Sequence, residues 1–146
     1  MGDRVAVLKD GYLQQVDTAQ NIYDRPGNVF VGAFIGSPSM NLYEGQIEIS
    51  GDGGSVTFGS HMFGLDEHVS ATRPGLKGYD GKPVIVGIRP EDFEDAAMVE
   101  GVSENRRHAS RVSLIESLGS EVMAHFRLDA KTVGSGDTDV VEKSTS

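Results

Sequence analysis

Cysteine is absent from this 146-residue sequence. That absence excludes disulfide bonds, zinc sites with cysteine ligands and thiol catalysis, and it is consistent with the cytosol. Tryptophan is also absent, and the aromatic residues are six phenylalanines and four tyrosines. Because proteins that bind single-stranded nucleic acid stack bases on aromatic side chains, and few of these lie on plausible strand faces, the composition disfavours such a platform.

Long apolar segments are missing too. The longest, NVFVGAFIG at residues 28–36, is about half of the roughly 18 apolar residues needed to cross a bilayer. The N-terminal stretch MGDRVAVLKDG carries charges at positions 3, 4, 9 and 10, so it does not resemble a secretory signal. The sequence therefore predicts no direct insertion into a membrane.

Positive charge is scarce. Lysine and arginine total 13 against 22 acidic residues, which gives a formal net charge of −9. Binding to a phosphate backbone depends on lysine and arginine clusters, so this balance predicts no nucleic-acid partner. The densest basic stretch, Arg106-Arg107-His108, lies beside Glu100 and Glu104 and is interpreted as a solvated loop.

Motifs of catalysis are not apparent. There is no GxxxxGK[ST] loop for phosphate and no serine in a GxSxG context. Histidines 61, 68, 108 and 125 lack the spacing of metal ligands. The acidic pairs at 91–92 and 94–95 could act as acids or bases, but at a helix start such residues more often cap the helix. The sequence therefore predicts no catalytic, cofactor-binding or metal-binding residue.

Glycine, in contrast, is abundant, with 19 residues, roughly double the usual share. Short apolar runs separated by glycines are typical of turn-rich β proteins. In RVAVLKDGYLQQVD, strand-forming residues flank Asp10-Gly11, which can adopt the positive φ angles of a tight turn. This stretch predicts a β-hairpin.

Two short helices are predicted after that hairpin. Thr18 or Asp17 can cap the first, and Pro26 ends it. In residues 28–36 apolar side chains recur at helical spacing, and the run stops at Gly36. A hairpin and two short helices bury little apolar surface, so we expect them to pack against something else.

Beyond the Ser37-Pro38 interruption the pattern changes to strands. NLYEGQIEIS alternates, GDGG forms a turn and SVTFGSHMFGL is a second strand region, while residues 67–82 are interpreted as a loop. KPVIVGIRP, at residues 82–90, is apolar on both faces and predicts a central strand, with Pro90 starting a short helix. ASRVSLIESLGSEVMAHFRL predicts two antiparallel strands joined near Gly119.

The predicted fold class is therefore mainly β. Five or so short antiparallel strands after residue 42 indicate a small, incomplete antiparallel barrel of the oligonucleotide/oligosaccharide-binding (OB) type, preceded by the hairpin and two helices. A β-sandwich is the alternative. Residues 129–146, polar and rich in glycine, are predicted to be a disordered tail.

Three of these stretches together resemble a known family. Residues 1–42, VIVGIRPEDF and VSLIESLGSE are similar, in this order and at these separations, to segments in ATP-binding subunits of ABC-type carbohydrate importers of the maltose, trehalose and glycerol-3-phosphate type. The resemblance is nearly continuous over residues 1–42 and continues in islands to about residue 128. It departs from the family at Ala19, Asn21 and Asp92, where proline, glutamate and histidine are common.

The resemblance implies an order of domains. Residues 1–36 would be the end of the ATP-binding domain, 37–42 a linker, 43–128 a truncated regulatory domain of the OB or TOBE type, and 129–146 the tail. The predicted linker residues are Phe34, Ile35, Gly36, Ser37, Pro38, Met40 and Asn41. The predicted regulatory-domain motifs, expected to order the barrel or to be purely architectural, are Arg89, Pro90, Glu91, Leu118, Gly119, Ser120 and Glu121.

The resemblance also implies a role without catalysis. The Walker, signature and switch-histidine motifs of such subunits would precede Met1, so the expected chain binds neither ATP nor magnesium and hydrolyses nothing by itself. Its expected partners are a second copy of itself, permease subunits through the longer protein, and a regulatory protein. It would lie in the cytoplasm at the inner face of the plasma membrane. The alternative is a module that binds an oxyanion or small metabolite near the Gly51–Gly54 turn amides.

Overall fold

The protein is described by a computed structural model that covers residues 3–119 and 121–134. Within them the strands are β1 (Val5–Lys9), β2 (Tyr12–Asp17), β3 (Asn41–Ser50), β4 (Gly53–Phe58), β5 (His61–Leu65), β6 (Pro83–Ile88), β7 (Val112–Ser117) and β8 (Val122–Phe126). The helices are α1 (Ala19–Asp24), α2 (Val29–Phe34) and α3 (Val69–Thr72), with 3₁₀ helices at Pro74–Tyr79, Pro90–Asp92 and Glu104–Arg106. None of the helices in these residues is both long enough and apolar enough to span a membrane.

The chain divides into two compact units. The first comprises the described residues of Met1–Tyr43, Ile85–Glu94 and Thr132–Ser146, and the second comprises Glu44–Val84 and Asp95–Lys131. Strands β3 and β6 each begin in one unit and end in the other. The domain boundaries given by the sequence stay a prediction.

The N-terminal hairpin and helices form as predicted. Strands β1 and β2 pair antiparallel, and the turn between them has φ of 50° at Asp10 and 84° at Gly11, the left-handed region that this turn requires. Thr18 caps α1 by accepting a hydrogen bond from the Asn21 amide. Asn28, which the sequence analysis did not single out, caps α2 by accepting from the Val31 amide.

These elements share a small core. Val7 from β1, Ile22 from α1 and Val31 from α2 are buried together, with Phe30 and Ile35 packed against them. Each fully buried side chain of this size contributes roughly 1.5–3 kcal/mol. Many apolar side chains of the same elements are exposed, however, including Leu13 at 60% and Phe34 at 62%. Whether the segment packs against something not in this chain stays a prediction.

A four-stranded sheet follows, with the strand order β5-β4-β3-β6. The prediction that residues 82–90 form a central strand is wrong, because β6 lies at the edge of this sheet. The ten-residue strand β3 takes an inner position instead, since it pairs with β4 on one side and β6 on the other. Val84, Ile85, Val86 and Ile88 of β6 are half-buried, and Met40 and Leu42 lie close to the backbone of Gly87.

Two further predictions need correction. The second strand region, residues 55–65, is a hairpin of β4 and β5, because Gly59 adopts a φ of 59° and turns the chain. Residues 67–82, interpreted as a loop, contain α3 and the 3₁₀ helix Pro74–Tyr79. Pro74 occupies the first turn of that 3₁₀ helix, where its missing amide hydrogen costs nothing.

The prediction of a mainly β fold with antiparallel strands is confirmed. Strands β7 and β8 pair antiparallel around Gly119 and form a two-stranded sheet of their own. Within the described residues the sheets have two, four and two strands, and they do not close into a barrel. A 3₁₀ helix starts at Pro90, where the sequence predicted a short helix.

The start of the predicted tail is ordered by hydrogen bonds. Thr132 forms a β-bridge with Tyr43, and the Val133 amide donates to the Leu42 carbonyl over 3.0 Å. The predicted disorder therefore does not extend to these residues, while residues 135–146 of the tail lie outside the described ones.

We predict that Gly59→Ala destabilises the protein far more than Gly51→Ala. Both glycines have positive φ, so either alanine costs about 1–2 kcal/mol of backbone strain. A Cβ at Gly59 would lie 1.7 Å from the Asp129 carbonyl oxygen, whereas one at Gly51 meets nothing within 4 Å. Urea unfolding followed by circular dichroism should show an additional loss of about 1–3 kcal/mol at Gly59, and equal losses would contradict this close approach.

Candidate functional site

The predicted linker residues run from the end of α2 to the start of β3. Phe34 is the last residue of α2, and the Ile35 amide caps that helix by donating to the Val31 carbonyl. Gly36 has a φ of 118° and the Ser37–Pro38 peptide is cis. Met40 lies against Gly87, and Asn41 is the first residue of β3. Ile35 and Gly36 of this segment also meet a side chain from far along the sequence.

Those contacts converge on Arg89, which follows β6 and is only 8% exposed. Its Nη1 donates to the Ile35 carbonyl and its Nη2 to the Tyr23 carbonyl, each over 2.8 Å. The guanidinium also lies 3.8 Å from the centre of the Tyr23 ring, within the range of a cation–π interaction. We call Tyr23, Ile35, Arg89 and Glu91 the Arg89 cluster.

Glu91 completes the cluster on the solvent side. It lies in the 3₁₀ helix that Pro90 begins, and its Oε1 accepts a hydrogen bond from the Tyr23 hydroxyl. This hydrogen bond raises the pKa of Tyr23, an effect that the nearby Arg89 charge opposes. The same bond lowers the pKa of the Glu91 carboxyl, so the carboxylate form is the one held against Tyr23.

Sequence reasoning singled out Arg89 and Glu91 but missed Tyr23. The contact joins residues separated by 66 positions, and Tyr23 sits in a six-residue helix whose pattern indicates only that one face is apolar. Two features of the sequence could have suggested the contact. A glycine ends the apolar run at position 36, and an arginine stands at the end of an apolar strand, where a buried charge needs partners.

The other predicted motif, Leu118–Glu121, belongs to the second compact unit. It is the turn of the β7–β8 hairpin, with φ of 83° at Gly119 and a hydrogen bond of 2.8 Å from the Leu118 amide to the Glu121 carbonyl. Ser120 lies outside the described residues. Nothing in the structure tests whether these motif residues, or those around Arg89, order a barrel, so that role stays a prediction.

The β7–β8 hairpin exposes apolar side chains on both strands. Ile115 is 64% exposed and Val122 is 69% exposed. Because Ile115 pairs with Ala124 and Ser117 pairs with Val122, these residues share one face. On the opposite face, His125 and Glu116 form a pair at 2.7 Å. The face with Ile115, Ala124 and Val122 also carries Ser117, and the opposite face carries Leu114 and Met123 beside the His125–Glu116 pair.

Two histidines meet in the second unit. The rings of His61 and His108 contact edge to face, with centroids 4.3 Å apart, and both lie near Phe58 or Phe63. The His61 Nε2 accepts a hydrogen bond of 2.9 Å from the Asp129 amide. Burial, and then the charge of nearby His61, hold the pKa of His108 below its usual range.

A polar opening of about 340 Å³ also lies in this unit, lined in part by His68, Asn105 and Arg106. Arg106 is 3.7 Å from the Asp66 carboxylate, so the cation already has an acidic neighbour. The described residues contain no group of three or more histidine, aspartate or glutamate side chains that could hold a metal ion.

Residues 36–93 match the MalK OB fold domain family. The chain is also similar to whole ATP-binding proteins. It is 40% identical over 130 residues to the oligosaccharides import ATP-binding protein MsmX of Bacillus subtilis, covering 88% of this chain and 34% of the relative. It is 44% identical over 138 residues to the trehalose/maltose import ATP-binding protein MalK of Thermococcus litoralis, covering 92% and 36%.

A third relative shares higher identity over a shorter span. The diacetylchitobiose uptake system ATP-binding protein MsiK of Streptomyces coelicolor is 49% identical over 107 residues, covering 71% of this chain and 26% of the relative. The chain therefore spans about a third of the length of these relatives, or less. The resemblance drawn from the sequence motifs is confirmed by these matches.

We predict that the free energy of unfolding falls as the pH drops through about 6.5 and that His108 contributes to this fall. Because its pKa is lowered in the folded protein, the unfolded chain binds a proton more readily there, and stability rises with pH in that range. In urea unfolding, the free energy of unfolding of His108→Gln should fall less between pH 7.5 and pH 5.5 than that of the wild type.

The control for this experiment is His68→Gln, which leaves the His61–His108 contact in place. Its free energy of unfolding should fall between the two pH values by as much as that of the wild type. Proton NMR titration of the histidine C2 protons measures the same effect directly. A His108 that titrates at or above the usual value for histidine would contradict the assignment.

Proposed function

We propose that this chain is the regulatory and pairing portion of an ATP-binding subunit of an ABC-type sugar importer. Residues 36–93 match the MalK OB fold domain family, and most of the chain is homologous to ATP-binding subunits of sugar importers. It contributes to subunit pairing and to the control of ATP-driven carbohydrate uptake. It does not hydrolyse ATP by itself. The longer relatives are named as ATP-binding proteins, and this chain covers only about a third of their length.

The observation that carries the pairing role is the β7–β8 hairpin. It is a two-stranded sheet, which is marginal in water without further packing. All six residues of β7 are exposed, and its outer edge presents unpaired backbone groups in the described structure. An exposed edge of this kind favours strand pairing with another chain, and a second copy offers the same edge in a twofold arrangement.

The proposed partners follow from this assignment. The first is a second copy of the chain, paired through the regulatory domain. The permease subunits of the importer would be reached through the longer protein, and a regulatory protein is a further partner. The proposed location is the cytoplasmic face of the plasma membrane, through the transporter complex. The relatives are named for different sugars, so the transported sugar is not assigned.

A ligand-binding role has weaker support. Gly53 and Gly54, whose amides would form the predicted anion site, belong to β4 and pair with Ser50 and Ile49 of β3. Arg106, beside the polar opening, already faces a carboxylate. These contacts leave the alternative of an oxyanion or metabolite module without a specific observation in its favour.

The pairing role predicts that Ile115→Glu weakens self-association. A glutamate in β7 would place a charge on the strand whose edge pairs with the second copy, next to the same charge on that copy, and the dissociation constant measured by sedimentation equilibrium should rise at least about tenfold. The control is Leu13→Glu, which alters a residue of similar exposure, 60% against 64%, in the β1–β2 hairpin. It should leave the dissociation constant unchanged.

A wild-type chain that stays monomeric at high micromolar concentration would contradict the pairing role, and so would equal effects of the two variants. The isolated chain should also release no phosphate from ATP with magnesium above the buffer blank. Measurable hydrolysis would refute the assignment of a non-hydrolytic portion.

A further inference from the structure

The Arg89 cluster crosses the boundary that the sequence predicts between two domains. Tyr23 and Ile35 belong to the predicted remnant of the ATP-binding domain, residues 1–36. Arg89 and Glu91 belong to the predicted regulatory domain, residues 43–128. All four residues nevertheless lie in the same compact unit of the structure. The segment between the predicted domains is therefore bridged by side-chain contacts as well as by the chain.

The bridge depends on a buried cation. Arg89 is 8% exposed, and burying a charge is costly unless it is paired and hydrogen bonded. Its two terminal nitrogens meet the Ile35 and Tyr23 carbonyls at 2.8 Å, and its face lies on the Tyr23 ring. Because the guanidinium is planar and its donors are fixed, these contacts set the position of both carbonyls at once, which a lysine ammonium does not do.

The linker backbone is shaped to accept this cation. Gly36 has a φ of 118°, which favours glycine. A Cβ at Gly36 would lie 3.2 Å from Arg89 Nη1 and 3.5 Å from the Pro38 carbonyl oxygen. The absence of a side chain at position 36 therefore allows the chain to pass close to the guanidinium immediately after the carbonyl that it binds.

We propose that Arg89 is a positioning residue that fixes linker residues 34–41 to helix α1 through the Ile35 and Tyr23 carbonyls, so that the end of β6, the linker and α1 behave as one rigid element. This inference rests on the proposed function for its meaning, because it makes residues 34–41 a rigid connection between the ATP-binding side and the regulatory side of the longer protein. A rotation at this segment would have to break two charge-assisted hydrogen bonds. Glu91 holds the Tyr23 ring in place against the guanidinium.

The test is amide hydrogen exchange of the whole chain, resolved by NMR. The variant Arg89→Lys keeps the charge and removes the planar fork, and Arg89→Met also removes the charge. In both, exchange at the Ile35 amide, which donates to the Val31 carbonyl over 3.0 Å, should accelerate at least about tenfold, because hydrogen bonds from charged donors such as Arg89 are among the stronger ones in proteins. The Gly81 amide, which donates to Ile47 over 2.8 Å, serves as the reference and should change little.

Arg111→Met is the matched control, since Arg111 is an exposed arginine outside the cluster, and it should leave exchange at the Ile35 amide as in the wild type. Unchanged exchange there in Arg89→Lys would overturn the proposal. An equal acceleration at Ile35 and Gly81 would overturn it too, because it would show a general loss of stability rather than a local release of the linker.

A second readout concerns Tyr23 itself. Its hydrogen bond to Glu91 raises the pKa of the phenol, so Glu91→Gln should lower that pKa towards the usual value for tyrosine. Ultraviolet titration of tyrosinate, compared with the spectrum of Tyr23→Phe, isolates this one phenol. Tyr12→Phe, at a side chain that is 75% exposed, is the control. An unchanged Tyr23 pKa in Glu91→Gln would contradict the assigned role of Glu91.

These measurements separate this inference from the proposed function. Linker exchange and tyrosine titration are read on the isolated chain and depend on neither pairing nor ATP. A chain that fails to pair but shows a linker released by Arg89→Lys would overturn the proposed function alone. A chain that pairs but shows an unchanged linker in Arg89→Lys would overturn this inference alone.

Discussion

The first compact unit depends on the hydrogen bonds that one buried guanidinium donates to two backbone carbonyls. Arg89 binds the Ile35 and Tyr23 carbonyls, and in doing so it brings the end of β6 to α1 and to the start of the linker. The apolar core beneath, Val7, Ile22 and Val31, is too small to fix these segments by burial alone. A buried charge without hydrogen-bond partners is costly. The arrangement that gives Arg89 its partners is therefore favoured over other arrangements of these segments, a selection that so small an apolar core does not make.

The second unit is organised differently. Its apolar residues Ile47, Val56 and Phe58 are buried in a sheet held by regular antiparallel pairing. Its β7–β8 hairpin, in contrast, leaves apolar residues at the surface. A unit that combines a buried sheet with an exposed apolar hairpin suits a role in association, and this is why pairing is the function proposed for it.

Local chemistry explains what could be predicted from the sequence. The Asp10-Gly11 turn, the Thr18 cap and the Gly119 turn are encoded within a few residues, so the hairpins and helices around them were predictable. The edge position of β6 was not, because it depends on how β3 pairs with strands far along the chain. The role of Tyr23 was hidden for the same reason. The motif IRPE drew attention to Arg89 through a family resemblance, but only the structure brings the carbonyls of Tyr23 and Ile35 to it.

The central claim concerns the bonds of Arg89, and NMR of its guanidinium group tests it most directly. We expect resolved, slowly exchanging Nη protons for Arg89, with nuclear Overhauser contacts to the Tyr23 ring and to Ile35, because rotation of the group is blocked when both terminal nitrogens donate. A single averaged, rapidly exchanging signal, such as an exposed arginine gives, would contradict the account.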